Sequence, residues 1–189
     1  PPIDDPACVI PFGSQGSTNP TPLGRPTVQH GYQKFAYNPT REHFIVALTS
    51  GTWTYSEGSG WTRLTPSFPS TGSDPRALMI YDPTIDTVIW IPLAAASEKM
   101  YRFNYATASW VPFGLFPYYQ GVAFTDVYSA YDPVRRKHLV TSDANGVGGS
   151  LWWLDTTGPN PAWTQIGDVP AEILGVNSVA FDTINNVFV

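Results

Sequence analysis

The chain has 189 residues, long enough for one sizeable hydrophobic core and too short for two independent domains to be expected. Aromatic residues make up 14% of it and charged residues only 13%, a composition that favours many short strands and argues against long helices. The net charge of −5 argues against a nucleic-acid partner, and no apolar run approaches the roughly 20 residues that cross a bilayer.

The first 30 residues precede the regular part of the chain. Residues 9–13 (VIPFG) are similar to residues 111–114 (VPFG), which follow Trp110 much further along. We therefore expect residues 9–13 to form the last strand of a repeat unit, and the Ser-, Thr-, Pro- and Gly-rich residues 14–30 to form a loop.

A short motif of an aromatic residue followed by Asp or Asn then recurs along the chain. Its four copies are Tyr37-Asn38-Pro39, Tyr81-Asp82-Pro83, Tyr131-Asp132-Pro133 and Phe181-Asp182-Thr183. Asp and Asn side chains accept hydrogen bonds from nearby backbone N–H groups, so each motif predicts a tight turn between two strands. We interpret the three Asp residues as turn caps and not as an acid–base pair. The strands after the turns are predicted at 43–50, 87–94, 137–144 and 186–189.

Two further strands follow in each unit. Third strands are predicted at 52–57, 100–105 and 151–156, and fourth strands begin at Trp61, Trp110 and Trp163. All these landmarks recur about every 50 residues, which is the length of a four-stranded propeller blade. We expect the three tryptophans to pack between blades, because large aromatic side chains dominate such contacts.

The predicted fold is therefore an all-β, partial β-propeller of four-stranded antiparallel blades. Residues 1–30 hold a last strand and a loop, residues 31–70, 71–118 and 119–170 each hold one blade, and residues 171–189 hold half a blade. All belong to one propeller domain. Because few propellers close with fewer than four blades, we expect an internal window of a longer chain. The alternative is a ring completed by the two ends or by two copies.

The repeat resembles the kelch or galactose-oxidase-like propeller families, in divergent form, from about residue 31 to the end. The third unit carries the resemblance best, with Tyr131-Asp132, Gly148-Gly149 and Trp163 in the family's order. The first two units have Ser50-Gly51 and Ala94-Ala95-Ala96 in place of the glycine pair. The resemblance implies a propeller fold and no particular activity.

Catalytic and metal-binding signatures are weak in the sequence. His43 and His138 are predicted at equivalent positions of different blades, so they would not share a metal. Cys8 is the single cysteine, which excludes an internal disulfide and makes a copper-radical oxidase centre improbable. We therefore expect no cofactor and no metal, and the sequence leans away from an enzyme without excluding one.

Binding is favoured over catalysis because long loops connect the fourth strand of one blade to the first strand of the next. The loop at 114–125 holds three aromatic residues, Phe116, Tyr118 and Tyr119, which we take as the candidate ligand- or partner-binding residues. The alternative is that these rings pack over the mouth of the propeller or cover a blade.

The leading functional hypothesis is a non-enzymatic, extracellular, secreted or particle-surface propeller. Its role would be protein interaction or structural assembly, with other protein chains or a larger assembly as partners. A carbohydrate-binding propeller, with glycans as ligands, is the second hypothesis. The third is a fragment of a secreted propeller enzyme, a hydrolase or an oxidase.

Overall fold

A computed structural model describes residues 26, 34–48, 51–66, 77–92, 99–117, 126–143, 149–169 and 179–189. Within these residues the chain forms antiparallel strands in three four-stranded sheets and one two-stranded hairpin. Blade 1 contains β1 Phe35–Asn38, β2 His43–Leu48, β3 Gly51–Ser56 and β4 Gly60–Thr65. Blade 2 contains β5 Ala77–Asp82, β6 Thr87–Pro92, β7 Lys99–Asn104 and β8 Ser109–Leu115. Blade 3 contains β9 Asp126–Asp132, β10 Lys137–Asp143, β11 Gly149–Asp155 and β12 Ala162–Asp168.

The last described element is the hairpin of β13 Phe181–Asp182 and β14 Val187–Phe188. In each blade the strands lie side by side in chain order, and the first strands of successive blades contact one another. This is the expected arrangement of a propeller, whose first strands lie nearest the axis. In the described residues no helix is long and apolar enough to cross a membrane.

The turn between the first two strands has the same geometry in all four units. The second residue of each motif accepts backbone N–H groups two or three residues ahead, as when Asp82 Oδ1 accepts Thr84 N at 2.7 Å. Asn38, Asp132 and Asp182 do the same. Each turn ends on a residue with φ between 45° and 56°, namely Glu42, Asp86, Arg136 and Asn186. The interpretation of the Asp residues as turn caps is confirmed.

The core consists of two layers of side chains between blades. We call the contact between blades 1 and 2 junction 1–2, and the contact between blades 2 and 3 junction 2–3. At junction 1–2 small and aliphatic side chains of blade 1 meet an aromatic-rich face of blade 2. At junction 2–3 the aliphatic face of blade 2 meets Val127, Val140 and Leu154 of blade 3.

Two of the three predicted tryptophans lie in these junctions. Trp110 packs against Phe103 and Trp90 at junction 1–2, and Trp163 packs edge-on against Phe116 at junction 2–3. Trp61 differs, because it is 40% exposed on a face of blade 1 that no described blade covers. Its neighbour there is Tyr55 of the same blade.

The predicted equivalence of the two strand-2 histidines is wrong by one residue. His43 pairs with Asn38, whereas Lys137 holds the corresponding position opposite Asp132. His138 instead pairs with Tyr131. Because alternate strand residues point to opposite faces, the two histidines lie on opposite faces of their blades, and both faces meet blade 2.

Candidate functional site

A cleft opens at junction 1–2, on the side of the molecule that carries the turns between strands 1 and 2 and between strands 3 and 4. Its volume is about 300 Å³. Its lining residues are Arg41, Ile85, Asp86, Thr87, Arg102, Phe103, Asn104, Tyr105 and Ala106. The sequence predicted binding by the loops at the opposite ends of the strands, so this cleft was missed.

One wall of the cleft is an ion pair between two turns of adjacent blades. Arg41 Nη1 donates to Asp86 Oδ2 at 2.8 Å, and both side chains are partly exposed. The hydroxyl of Tyr81 donates to Asp86 Oδ1 at 2.9 Å and lies 3.1 Å from the Thr40 hydroxyl. Blade 1 therefore contributes Thr40 and Arg41, and blade 2 contributes Tyr81 and Asp86, to one network.

Tyr105 of blade 2 forms the other wall. Its hydroxyl accepts a hydrogen bond from Asn38 Nδ2 at 3.1 Å and lies 3.3 Å from His43 Nε2. The guanidinium of Arg41 lies over the ring at 4.0 Å from its centroid, a cation–π distance. Each side chain in this network contacts at least one other member, so the network holds the two turns together.

Burial and neighbouring charges shift the pKa values of three titratable groups in and beside the cleft. Burial raises the pKa of the Tyr105 hydroxyl, which keeps it protonated. For Asp86, burial acts to raise the pKa, but the hydrogen bonds from Arg41 and Tyr81 outweigh it and the pKa is lowered. The pKa of His43 is lowered by burial and then by the charge of Arg41. Near neutral pH the cleft therefore holds a protonated tyrosine, an ion-paired carboxylate and a neutral histidine, each of them engaged with another member of the network.

Junction 2–3 carries a different polar contact at the corresponding place. Asp82 of blade 2 and His138 of blade 3 are both buried, with 3.5 Å between Asp82 Oδ2 and His138 Nε2. On its other side, His138 Nδ1 lies 3.4 Å from Ser129 Oγ, and the ring packs against Tyr131. Burial acts to raise the pKa of Asp82, but His138, Thr156 and the Thr84 N–H outweigh it, so the pKa is lowered.

A hydroxyl pair links the turns of blades 1 and 2 to the next blade at the same repeat position. Thr40 meets Tyr81 at junction 1–2, and Thr84 meets Tyr131 at 2.9 Å at junction 2–3. Val134 and Phe181 hold these two positions between blade 3 and the hairpin. Both of these side chains lack a hydroxyl group, so no hydroxyl is left without its hydrogen-bond partner at this place.

Blade 1 presents a sheet face rich in exposed aromatic side chains, which we call the aromatic face. It consists of Phe35, Tyr37, Phe44, Tyr55 and Trp61. Phe35 is 60% exposed. The rings pair along the sheet, Tyr37 against Phe44 at 5.0 Å and Tyr55 against Trp61 at 5.2 Å, with interplanar angles of 50° and 54°.

Of the three residues predicted to bind a ligand or partner, one lies in the described part of the chain. Phe116 is 2% exposed and packs into junction 2–3 against Trp163. Tyr118 and Tyr119 lie outside the described residues, as do the predicted strand at 9–13 and most of the loops joining strands 2 and 3 or successive blades. Within the described ranges, no three His, Cys, Asp or Glu side chains are grouped so that they could hold a metal ion.

The missed residues Arg41, Asp86 and Tyr105 leave a faint signal in the sequence. Arg41 and Asp86 are the fourth and fifth residues after Tyr37 and Tyr81, so both lie in the repeated turn. A cation in one turn and a carboxylate in the turn of the next blade are the pattern that predicts such a contact once blade order is known.

Comparisons with known proteins agree with this architecture. No protein-family model matches the chain, and no curated protein does. TolB from Acinetobacter baumannii superposes with a TM-score of 0.50 at 11% identity, over 83% of this chain and 36% of TolB. A structure of the nidogen/laminin complex superposes with a TM-score of 0.50 at 15% identity, over 82% of this chain and 54% of the matched chain.

At such identities the likeness concerns the fold alone. The molecule is an all-β protein of β-propeller type, built from four-stranded antiparallel blades. The chain spans about a third of the first of these matched structures and about half of the second. The predicted fold class is confirmed. The comparisons do not confirm the finer, kelch-like assignment.

Proposed function

We propose that this chain is a non-enzymatic propeller module that binds or assembles with other proteins, outside the cell or at the surface of a particle. The aromatic face of blade 1 is the observation that carries the proposal. A contiguous exposed group of large aromatic side chains marks an interaction surface in proteins that remain soluble. The sparse Lys and Glu residues support an extracellular setting, and the finer kelch-like assignment is part of the same proposal.

The repeat indicates what kind of surface fits the aromatic face. In all three blades one row of paired residues runs across the sheet from the turn tyrosine to the fourth-strand tryptophan. The rows are Tyr37, Phe44, Tyr55 and Trp61; Tyr81, Val88, Phe103 and Trp110; and Tyr131, His138, Leu154 and Trp163. In blades 2 and 3 this row packs on the preceding blade.

The partner of the aromatic face should therefore resemble a preceding blade. At junction 1–2 that blade presents small and aliphatic side chains, a threonine hydroxyl for Tyr81, and Thr52 Oγ1 at 2.8 Å as acceptor for Trp110 Nε1. We propose a protein sheet with short aliphatic side chains and a hydroxyl opposite Tyr37. The matched nidogen structure is a complex with laminin, a precedent for a propeller of this type in a protein complex.

Ring geometry favours protein over sugar at this face. Sugars stack on flat, open ring faces, whereas the rings here are tilted against each other in pairs and present edges as well as faces. A carbohydrate-binding propeller stays the second hypothesis and a secreted propeller enzyme the third. The ion-paired and buried groups of the cleft favour neither of them.

Site-specific photo-crosslinking tests the proposal. A benzoylphenylalanine in place of Phe35 should crosslink, in the natural source, to one protein segment that alternates short aliphatic and polar residues. The same group in place of Thr62 is the matched control, because Thr62 is exposed on the opposite face of blade 1. Phe44→Asp should weaken that association about tenfold or more. Crosslinking from Thr62 alone, or glycan binding lost in Trp61→Ala, would contradict it.

A further inference from the structure

Asp82 and His138 form a buried titratable pair that plays no part in the cleft or the aromatic face. Asp82 is fully buried and His138 is 2% exposed. Neither Asp82 Oδ2 nor His138 Nε2 makes a hydrogen bond of ordinary geometry. The 3.5 Å between them exceeds the roughly 2.7–2.9 Å of a charge-assisted hydrogen bond, so the contact has room to shorten.

The site can accommodate His138 with or without its extra proton. Ser129 Oγ faces Nδ1, and a hydroxyl can donate to a neutral ring nitrogen or accept from a protonated one. Nε2 faces the Asp82 carboxylate in both cases. Protonated His138 therefore has an acceptor for each of its two N–H groups.

Asp82 is the carboxylate that faces the ring among the described residues. The other titratable neighbour is Tyr131, whose hydroxyl is bonded to Thr84. On the opposite face of blade 3, Asp132 is paired with Arg135 and Lys137 with Asp155 at 3.2 Å. The buried charge of Asp82 therefore faces the imidazole, not a permanent cation.

We propose that Asp82 and His138 are a proton-operated lock between blades 2 and 3. When His138 takes up a proton, a neutral ring facing a buried carboxylate becomes a buried ion pair, and the junction tightens. Histidine is the side chain whose charge changes between about pH 5 and 8, so the lock closes as the solution becomes mildly acidic. An unpaired buried charge is strongly unfavourable, and the opposite charge of protonated His138 would offset part of that cost.

The lock has a lower pH limit, which follows from Asp82. The folded-state pKa of Asp82 lies below its ordinary value of 3.8. Such a carboxyl stabilises the fold above the ordinary value and loses that contribution as pH falls through the lower, folded value. Strong acid therefore opens the lock that mild acid closes.

A double-mutant cycle measures the lock. Urea unfolding of the full chain, His138→Gln, Asp82→Asn and the double variant should be compared at pH 7.5 and pH 5. The coupling between the two positions, expressed as a ratio of unfolding equilibrium constants, should be at least about fivefold larger at pH 5. Asparagine suits the turn, because Asn38 holds the same place in blade 1. Equal coupling at the two pH values would overturn the proposal.

NMR of the unmodified chain supplies a test that does not depend on how the variants fold. Between pH 7.5 and pH 5 the imidazole signals of His138 should change differently in the unmodified chain and in Asp82→Asn, because the carboxylate that faces the ring is missing from the variant. Asp132→Asn is the matched control, because it removes the same turn carboxylate one blade later and should leave the response of His138 as it is in the unmodified chain. A His138 signal that does not change with pH, or that moves equally in both variants, would overturn the proposal.

Discussion

Junctions 1–2 and 2–3 are built on the same repeat but join their blades by different chemistry. At junction 1–2 the second residue of the turn is Asn38, whose amide donates to the Tyr105 hydroxyl. At junction 2–3 the same position is Asp82, whose carboxylate faces His138. An oxygen in place of the amide nitrogen therefore turns a neutral contact into an ionisable one at this position of the repeat.

The fourth-strand tryptophans show the same contrast. Trp110 Nε1 donates to Thr52 Oγ1 at junction 1–2. At junction 2–3 the residue corresponding to Thr52 is Met100, and Trp163 Nε1 is buried without a hydrogen-bond partner among the described residues. The fourth-strand tryptophan therefore contributes packing and a hydrogen bond at junction 1–2, and packing alone at junction 2–3.

Deleting one buried ring from each junction should give the largest loss of stability. Phe103 and Phe116 are each 2% exposed, in junctions 1–2 and 2–3 respectively. Phe103→Ala and Phe116→Ala should each lower the free energy of unfolding by about 3–5 kcal/mol, through lost burial and a cavity. Urea denaturation measures the change, and Phe35→Ala on the aromatic face is a control expected to cost less than about 1 kcal/mol.

The Phe116 variant also tests the binding role that the sequence predicted for this residue. A residue that mainly contacts a partner can be truncated with little effect on folding. If Phe116→Ala unfolds at the same urea concentration as the unmodified chain, the packing role is wrong and the binding role gains support.

A smaller loss is expected at Gly114, where blade 2 lies close to Pro161 of blade 3. Gly114 has φ of 125°, and a Cβ there would lie 2.6 Å from Pro161 Cγ of blade 3. Gly114→Ala should therefore cost about 2 kcal/mol or more, from backbone strain and displacement of Pro161. Gly167→Ala is the matched control, because a Cβ at Gly167 meets nothing within 4 Å. Equal thermal unfolding of the two variants would show that the junctions tolerate such a shift.

Most of the blade structure could be predicted from the sequence, because the residues that repeat are those that form the turns and strands. The second strands begin at residues 43, 87 and 137 as predicted, since the turn motif before each one fixes its start. The histidine register was wrong because it relied on matching residue type. The positive-φ residue that ends the turn, Glu42 or Arg136, sets the register.

The cleft could not be found in the same way. Arg41 and Asp86 are far apart in sequence, and their contact depends on how one blade lies against the next. Buried partners such as Asp82 and His138 likewise come together only through blade packing. A repeat predicts what each unit looks like, whereas contacts between units depend on residues that differ from blade to blade.

The smallest predicted effect concerns mild acid, which should weaken junction 1–2 whereas the proposed lock tightens junction 2–3. The pKa of His43, at junction 1–2, lies below its ordinary value of 6.5 because of burial and the Arg41 charge. The unfolded chain therefore binds this proton more readily than the folded one, and junction 1–2 loses stability as pH falls below 6.5. In a chain that carries Asp82→Asn, the free energy of unfolding should fall between pH 7 and pH 5. Adding His43→Gln should make that fall smaller, by less than about 1 kcal/mol. Urea midpoints across this range measure it, and a steeper fall in His43→Gln would mean that protonated His43 stabilises junction 1–2. Mild acid would then tighten both junctions, and Asn38 and Asp82 would no longer mark a difference between them.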